Sequence, residues 1–312
     1  MTLVLQFLLL AFGFLLLVKG ADWFVESASG IADKFGIPQL VIDLTIVAMG
    51  TSAPETAVSI TAALKGNADV AVGNVLGSNI LNVLIILGIS AVITSIAIAK
   101  TTIRYEIPIM LGATFLLLGF GATGGSINLW EGIAFLGCFV LYLLYMFVMV
   151  KKGEMQAEQI DTPPIPLWRL LLMMVVGLGL IVWGSDITID AATQIAKIAG
   201  LSEQFIGLTI VALGTSLPEL VTSVVAAKKG KADIAIGNIV GSNIFNILLV
   251  LGVSACIIPV VFDYSFVKDC LIAAGAGIVL WICVFPKKKL TRLGGGVLLL
   301  CYAAYFAYLL IL

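Results

Sequence analysis

Two glutamates, Glu55 and Glu219, stand midway along apolar stretches, each closing the pattern Gly-Thr-Ser-x-Pro-Glu. An ionisable side chain at such depth costs at least about 2.5 kcal/mol, so it implies a function and a counter-charge. A structural charge pair would be the plainest explanation. Yet no lysine or arginine lies in the interior of the segments carrying these glutamates or of those that follow them. A bound cation is the better counter-charge.

Nearby residue types agree. Thr51 and Glu55 are spaced i,i+4, as are Thr215 and Glu219; Ser78 and Asn82 repeat that spacing, and so do Ser242 and Asn246. In a helix this puts each pair on one face. Carboxylates, hydroxyls and amides all present oxygen, the ligand set of a hard cation such as calcium or sodium. The chain has no histidine, and no cysteine lies near these motifs, which argues against zinc or copper. A lone Ser or Asn would more often be a hydrogen bond between helices. Asp69 and Asp233, at the expected starts of helices, read as caps rather than ion ligands.

Pro54 and Pro218 immediately precede the glutamates. Each removes a helical hydrogen bond and clashes with the carbonyl four residues back, on Gly50 or Gly214. A broken helix at membrane depth is tolerated where freed carbonyls line a polar cavity. A simple proline kink would not account for Gly-Thr-Ser before it and Glu after it.

The elements that must position these residues are duplicated. Ile46 to Glu55 returns as Ile210 to Glu219, identical at 8 of 10 positions, and Asp69 to Asn82 returns as Asp233 to Asn246, identical at 9 of 14, both at an offset of 164. Gly13 pairs with Gly177, Gly20 with Gly184, Asp22 with Asp186 and Lys65 with Lys229. Gly73, Gly77, Gly237 and Gly241 are expected to let helices approach closely.

Composition supplies the solvent: 61% of 312 residues are hydrophobic and 11% charged, against roughly 25% charged in a soluble domain. Apolar runs of spanning length recur throughout. The first, Leu3 to Val18, reads as a retained helix rather than a signal peptide. We expect an all-α integral membrane protein with ten transmembrane helices, at about 3–34, 38–64, 69–95, 104–123 and 128–150, then 167–199, 203–229, 232–259, 265–285 and 290–312. Residues 1–150 would be the first five-helix repeat, 151–166 a linker and 167–312 the second repeat. Because five is odd, the second repeat is inverted. Placing both termini outside puts thirteen of seventeen lysines and arginines on the inner side, and the linker in the cytoplasm. The net charge of −1 suggests no nucleic-acid partner, and the bilayer is the surroundings implied; no protein partner is. Five dispersed cysteines read as buried hydrophobes.

The motifs GTSAPE with GNVLGSNILN, and GTSLPE with GNIVGSNIFN, resemble the paired repeats of the calcium/cation antiporter superfamily, most of all its prokaryotic sodium/calcium exchangers. The likeness covers nearly the whole chain. It implies a calcium site made by the carboxylates of Glu55 and Glu219 with oxygens of Thr51 and Thr215. It implies flanking sodium sites that share Glu55, Glu219, Thr51 and Thr215 and add Ser52, Ser78, Ser216, Ser242 and the carbonyls of Ala48 and Ala212. It also implies exchange of three sodium ions for one calcium, with the first and sixth helices sliding across a fixed core. Asn246 departs from the aspartate found there in some relatives. A calcium/proton exchanger is the nearest alternative; a cation channel and an enzyme are others, but no nucleophile with a base, metal triad or phosphate loop supports catalysis. No cofactor is expected.

Overall fold

The computed structural model describes residues 3–66, 68–152, 165–199 and 212–311. It is helical almost throughout. Helix α1 (Leu3–Phe35) is followed by a broken pair, α2 (Leu40–Thr51) and α3 (Ala53–Leu64). Then come α4 (Val70–Ile93), α5 (Thr102–Gly124) and α6 (Leu129–Lys151). The second half repeats the plan with α7 (Leu167–Ile198), the broken pair α8 (Ala212–Thr215) and α9 (Leu217–Lys228), α10 (Ile234–Ile257), α11 (Tyr264–Val284) and α12 (Arg292–Ile311). Among the described residues, eight helices are long and apolar enough to cross a membrane. The expected helix over 203–229 is described only from Ala212, and the expected linker mostly lies outside the described residues.

Short extended pieces join some of the helices. Four two-residue strands form two antiparallel ladders, β1 (Ile96–Ala97) with β4 (Lys289–Leu290) and β2 (Ser126–Ile127) with β3 (Val260–Val261). Helices α4 and α10 stop when Thr94 and Ile258 turn extended, and the branched residues that follow suit a strand. Each ladder ties a loop of one half to a loop of the other.

Burial separates the layers. In α4 and α10, 72% and 83% of the most apolar stretch is buried, against 28% in α1, α6 and α7, so α4 and α10 form the centre and α1, α6 and α7 turn most of their surface outward. Helices α1 and α7 cross backbone to backbone. A Cβ on Gly20 would fall 2.7 Å from the carbonyl oxygen of Gly177, and one on Gly184 would fall 2.9 Å from that of Gly13. Of the glycines expected to allow close approach, Gly237 and Gly241 do so, against Asp43 and Leu44 of α2. The counterparts of those neighbours beside Gly73 and Gly77 are Gly207 and Leu208, outside the described residues.

Candidate ion-binding site

Each proline sits second in its helix, and the break falls two residues earlier than the proline itself. Ser52 (φ −81°, ψ 12°) and Ser216 (φ −90°, ψ 6°) leave the helical conformation and become the N-caps of α3 and α9. The glutamates therefore occupy the first turns, close to free amide groups and the positive end of the helix dipole. The carbonyl that Pro218 releases, that of Gly214, accepts a hydrogen bond from Ser185 Oγ of α7 at 3.0 Å.

Both glutamates are 1% exposed. Ser52 Oγ donates to Glu219 Oε1 at 2.7 Å, and Ser216 Oγ donates to Glu55 Oε1 at 3.2 Å. The bonds are reciprocal, each joining a hydroxyl of one half to a carboxylate of the other. Oε2 of both glutamates is buried without a hydrogen-bond partner.

Asparagines surround this pair in a matching pattern. Asn82 Nδ2 donates to Asn243 Oδ1 at 2.9 Å, and Asn246 Nδ2 donates to Asn79 Oδ1 at 3.1 Å. Asn79 and Asn243 in turn each donate to the other's backbone carbonyl, at 3.2 and 3.1 Å. With their nitrogens engaged, Asn82 and Asn246 keep Oδ1 buried and unpartnered. Both residues open a π-helical turn, Asn82–Ile86 and Asn246–Leu251, a local widening common at functional sites. Four buried oxygens, in two pairs related by the 164-residue offset, thus lack a donor. Such acceptors fit a cation, since leaving each one bare costs about 1–3 kcal/mol.

The remaining expected ligands are partly gathered. Thr51 is buried, with its hydroxyl 2.9 Å from Asn238 Oδ1. Ser242 Oγ lies 3.4 Å from the carbonyl of Ala48, which brings together two of the groups expected at the sodium sites. Ser78 is buried and Thr215 half-buried. Ala212 begins α8, and its side chain is not described.

Four asparagines were passed over in reading the sequence as a ligand list. Asn74 Nδ2 donates to Ser59 Oγ at 3.0 Å and to the carbonyl of Glu55 at 3.2 Å; Asn238 Nδ2 donates to Ser223 Oγ at 3.2 Å. These two hold α3 against α4 and α9 against α10, while Asn79 and Asn243 tie α4 to α10. The repeat itself was their signal, since all four recur at the same offset. Ser185 has no such signal, because Ala21 occupies its counterpart position. Two expectations are corrected. The helical runs that lead into α4 and α10 begin at Ala68 and Ala232, so Asp69 and Asp233 stand second in the first turn rather than at the cap, and Lys231 holds the cap position of the second run without a side-chain hydrogen bond. Of the cysteines, Cys270 alone is fully buried and the other four are half-buried; all are free thiols.

The comparisons with known proteins agree with this arrangement. Residues 5–148 and 169–311 match the family model described as sodium/calcium exchanger protein. The candidate antiporter CaxA of Alkalimonas amylolytica is 43% identical over 305 residues, covering 94% of this chain and 95% of that protein. The sodium/calcium exchanger MaX1 of Methanosarcina acetivorans is 31% identical, covering 98% of this chain and 99% of that protein. A solved structure of the sodium-calcium exchanger NCX_Mj superposes with a TM-score of 0.85 at 29% identity, over 99% of this chain and all of that one. Two matched halves, a shared fold and a buried pair of hydroxyl-bound carboxylates have one explanation: the chain belongs to the sodium/calcium exchanger family and is a multi-pass membrane antiporter.

Proposed function

We propose that this protein exchanges three sodium ions for one calcium ion by alternating access at the Glu55–Glu219 pair. Calcium is held by the two carboxylates with Thr51 and Thr215. Sodium occupies flanking sites made by the same four residues with Ser52, Ser78, Ser216, Ser242 and the carbonyls of Ala48 and Ala212, and Asn82 and Asn246 offer nearby amide oxygens. The observation that carries this reading is the pair of buried carboxylates, each bound through one oxygen by a serine of the opposite half while the other oxygen has no partner. Two negative charges match one divalent ion, and hydroxyls and carbonyls suit sodium.

Ten membrane crossings in two inverted five-helix repeats, residues 1–150 and 167–312, give the site equivalent approaches from both faces. Helices α1 and α7 slide together across the other eight. Both termini lie outside and residues 151–166 in the cytoplasm. MaX1 and NCX_Mj both carry sodium/calcium exchange in their names, which favours sodium over protons as the coupling ion.

The test is calcium uptake into sodium-loaded proteoliposomes, compared with uptake driven by a proton gradient alone. Sodium-driven uptake is expected. Uptake driven only by protons would make the protein a calcium/proton exchanger, and single-channel currents would make it a channel.

A further inference from the structure

The 164-residue offset relates two acid–base pairs outside the ion site, Asp22 with Lys229 and Asp186 with Lys65. They are not in the same condition. Lys229 Nζ lies 3.0 Å from Asp22 Oδ1 and also donates to the Asp22 carbonyl at 3.3 Å, which joins the end of α9 to α1. Two residues on, Lys231 Nζ donates to Ser29 Oγ of α1 at 2.7 Å. At the other end, Asp186 and Lys65 are exposed, and among the described residues they form no ion pair. Thr193, the counterpart of Ser29, keeps its hydroxyl without a partner.

Packing between α1 and α7 has the same asymmetry. On the Asp22 side of the α1–α7 crossing, Leu170 packs so tightly on Gly30 that a Cβ there would lie 2.7 Å away. The counterparts of those residues, Gln6 and Gln194, instead line a cleft of about 500 Å³ with Asp190.

We propose that Asp22–Lys229 and Asp186–Lys65 are alternative latches, one for each membrane face, and that only the first is closed in this structure. The proposal rests on the alternating-access reading above. Because α1 and α7 touch backbone to backbone at two glycine pairs, they move as one body. They run antiparallel, so their aspartates sit on opposite sides of the glycine crossing, roughly 16 Å apart along the axis at 1.5 Å per residue. The lysines belong to α9 and to the end of α3, in the part that stays fixed. A slide that separates Asp22 from Lys229 carries Asp186 toward Lys65. The four residues position the sliding pair and do not touch the ions.

Two measurements on the full chain in proteoliposomes test this. In the first, half-saturating calcium is measured at each face for Lys229→Gln and Lys65→Gln. A partly exposed pair should bias the two states by about two- to five-fold. Lys229→Gln should tighten apparent calcium binding at the cytoplasmic face and weaken it outside, Lys65→Gln should do the reverse, and Asp22→Lys combined with Lys229→Asp should restore the first. Shifts of the same sign, or none, would overturn the latches while leaving exchange intact. The second measurement is independent of the cargo. Asp22→Cys with Lys229→Cys, and Lys65→Cys with Asp186→Cys, should each form a disulfide under mild oxidation, identified by peptide mapping. With all four substitutions, one molecule should hold one disulfide or the other. Both disulfides in one molecule, or neither of the second pair, would refute the proposal even if the coupling ion proved not to be sodium.

Discussion

Ser52 donates its hydroxyl to Glu219, a carboxylate 167 positions further along the chain, at 2.7 Å. The two residues belong to different copies of one motif. Neither half can therefore complete the site alone, and the position of each glutamate reports on the break in the opposite helix.

Glu55→Gln or Glu219→Gln should abolish calcium transport and leave a folded, membrane-inserted protein. Gln preserves volume and can still accept from Ser216 or Ser52, but it removes a charge that balances the divalent ion. Calcium flux into proteoliposomes, with size-exclusion behaviour in detergent as the folding control, decides it. Substantial exchange by either variant would place the calcium site elsewhere.

Ser52→Ala and Ser216→Ala should impair the protein to similar degrees, because their bonds are reciprocal. A hydrogen bond to a charged group contributes about 1.5–3 kcal/mol, which corresponds to roughly ten- to hundred-fold in ion affinity. The sodium concentration that half-maximally drives calcium movement is the quantity to follow. A strong effect from one serine and none from the other would contradict the symmetry.

Gly241→Ala should destabilise the fold by about 1–3 kcal/mol. Its Cβ would fall 2.7 Å from the Leu44 carbonyl oxygen and 2.9 Å from Ala48 Cβ, and relief would have to come from backbone. Gly119→Ala, which meets nothing within 4 Å, is the control and should leave the melting temperature in detergent nearly unchanged. Equal melting temperatures for both variants would show that α2 and α10 are not in close contact.

Exchange of three sodium ions for one calcium moves one net charge, worth about 2.3 kcal/mol per 100 mV. Voltage should therefore bias the direction of exchange. Initial calcium flux that ignores a potassium-diffusion potential of either sign would exclude this stoichiometry.

Exchange should not require potassium. Asn246 supplies an amide oxygen without charge, and its nitrogen is committed to Asn79 at 3.1 Å. At the proposed site calcium neutralises Glu55 and Glu219, so a further cation beside them would sit uncompensated in a low-dielectric interior. Calcium uptake with choline or potassium as the balancing cation, at clamped voltage, should be the same; a strict need for potassium would defeat this prediction.

The sequence by itself determined that the chain lives in a membrane, that it is duplicated, and that Glu55 and Glu219 are its candidate ion ligands. These follow from hydropathy, from an offset visible in identical residues, and from the cost of a charge in an apolar run. It also placed the helix breaks to within two residues, because proline cannot donate and clashes backward wherever it sits. Only the tertiary structure decided who bonds to whom. That Ser52 serves Glu219 rather than its neighbour Glu55, that Asn79 and Asn243 exchange bonds, and that Ser185 meets Gly214 all depend on helices distant in sequence being packed side by side. The asymmetry of the Asp22–Lys229 and Asp186–Lys65 pairs was likewise beyond the sequence. A duplicated sequence encodes two equivalent ends, and on the proposal above their difference lies in the position of one packed helix pair against the rest.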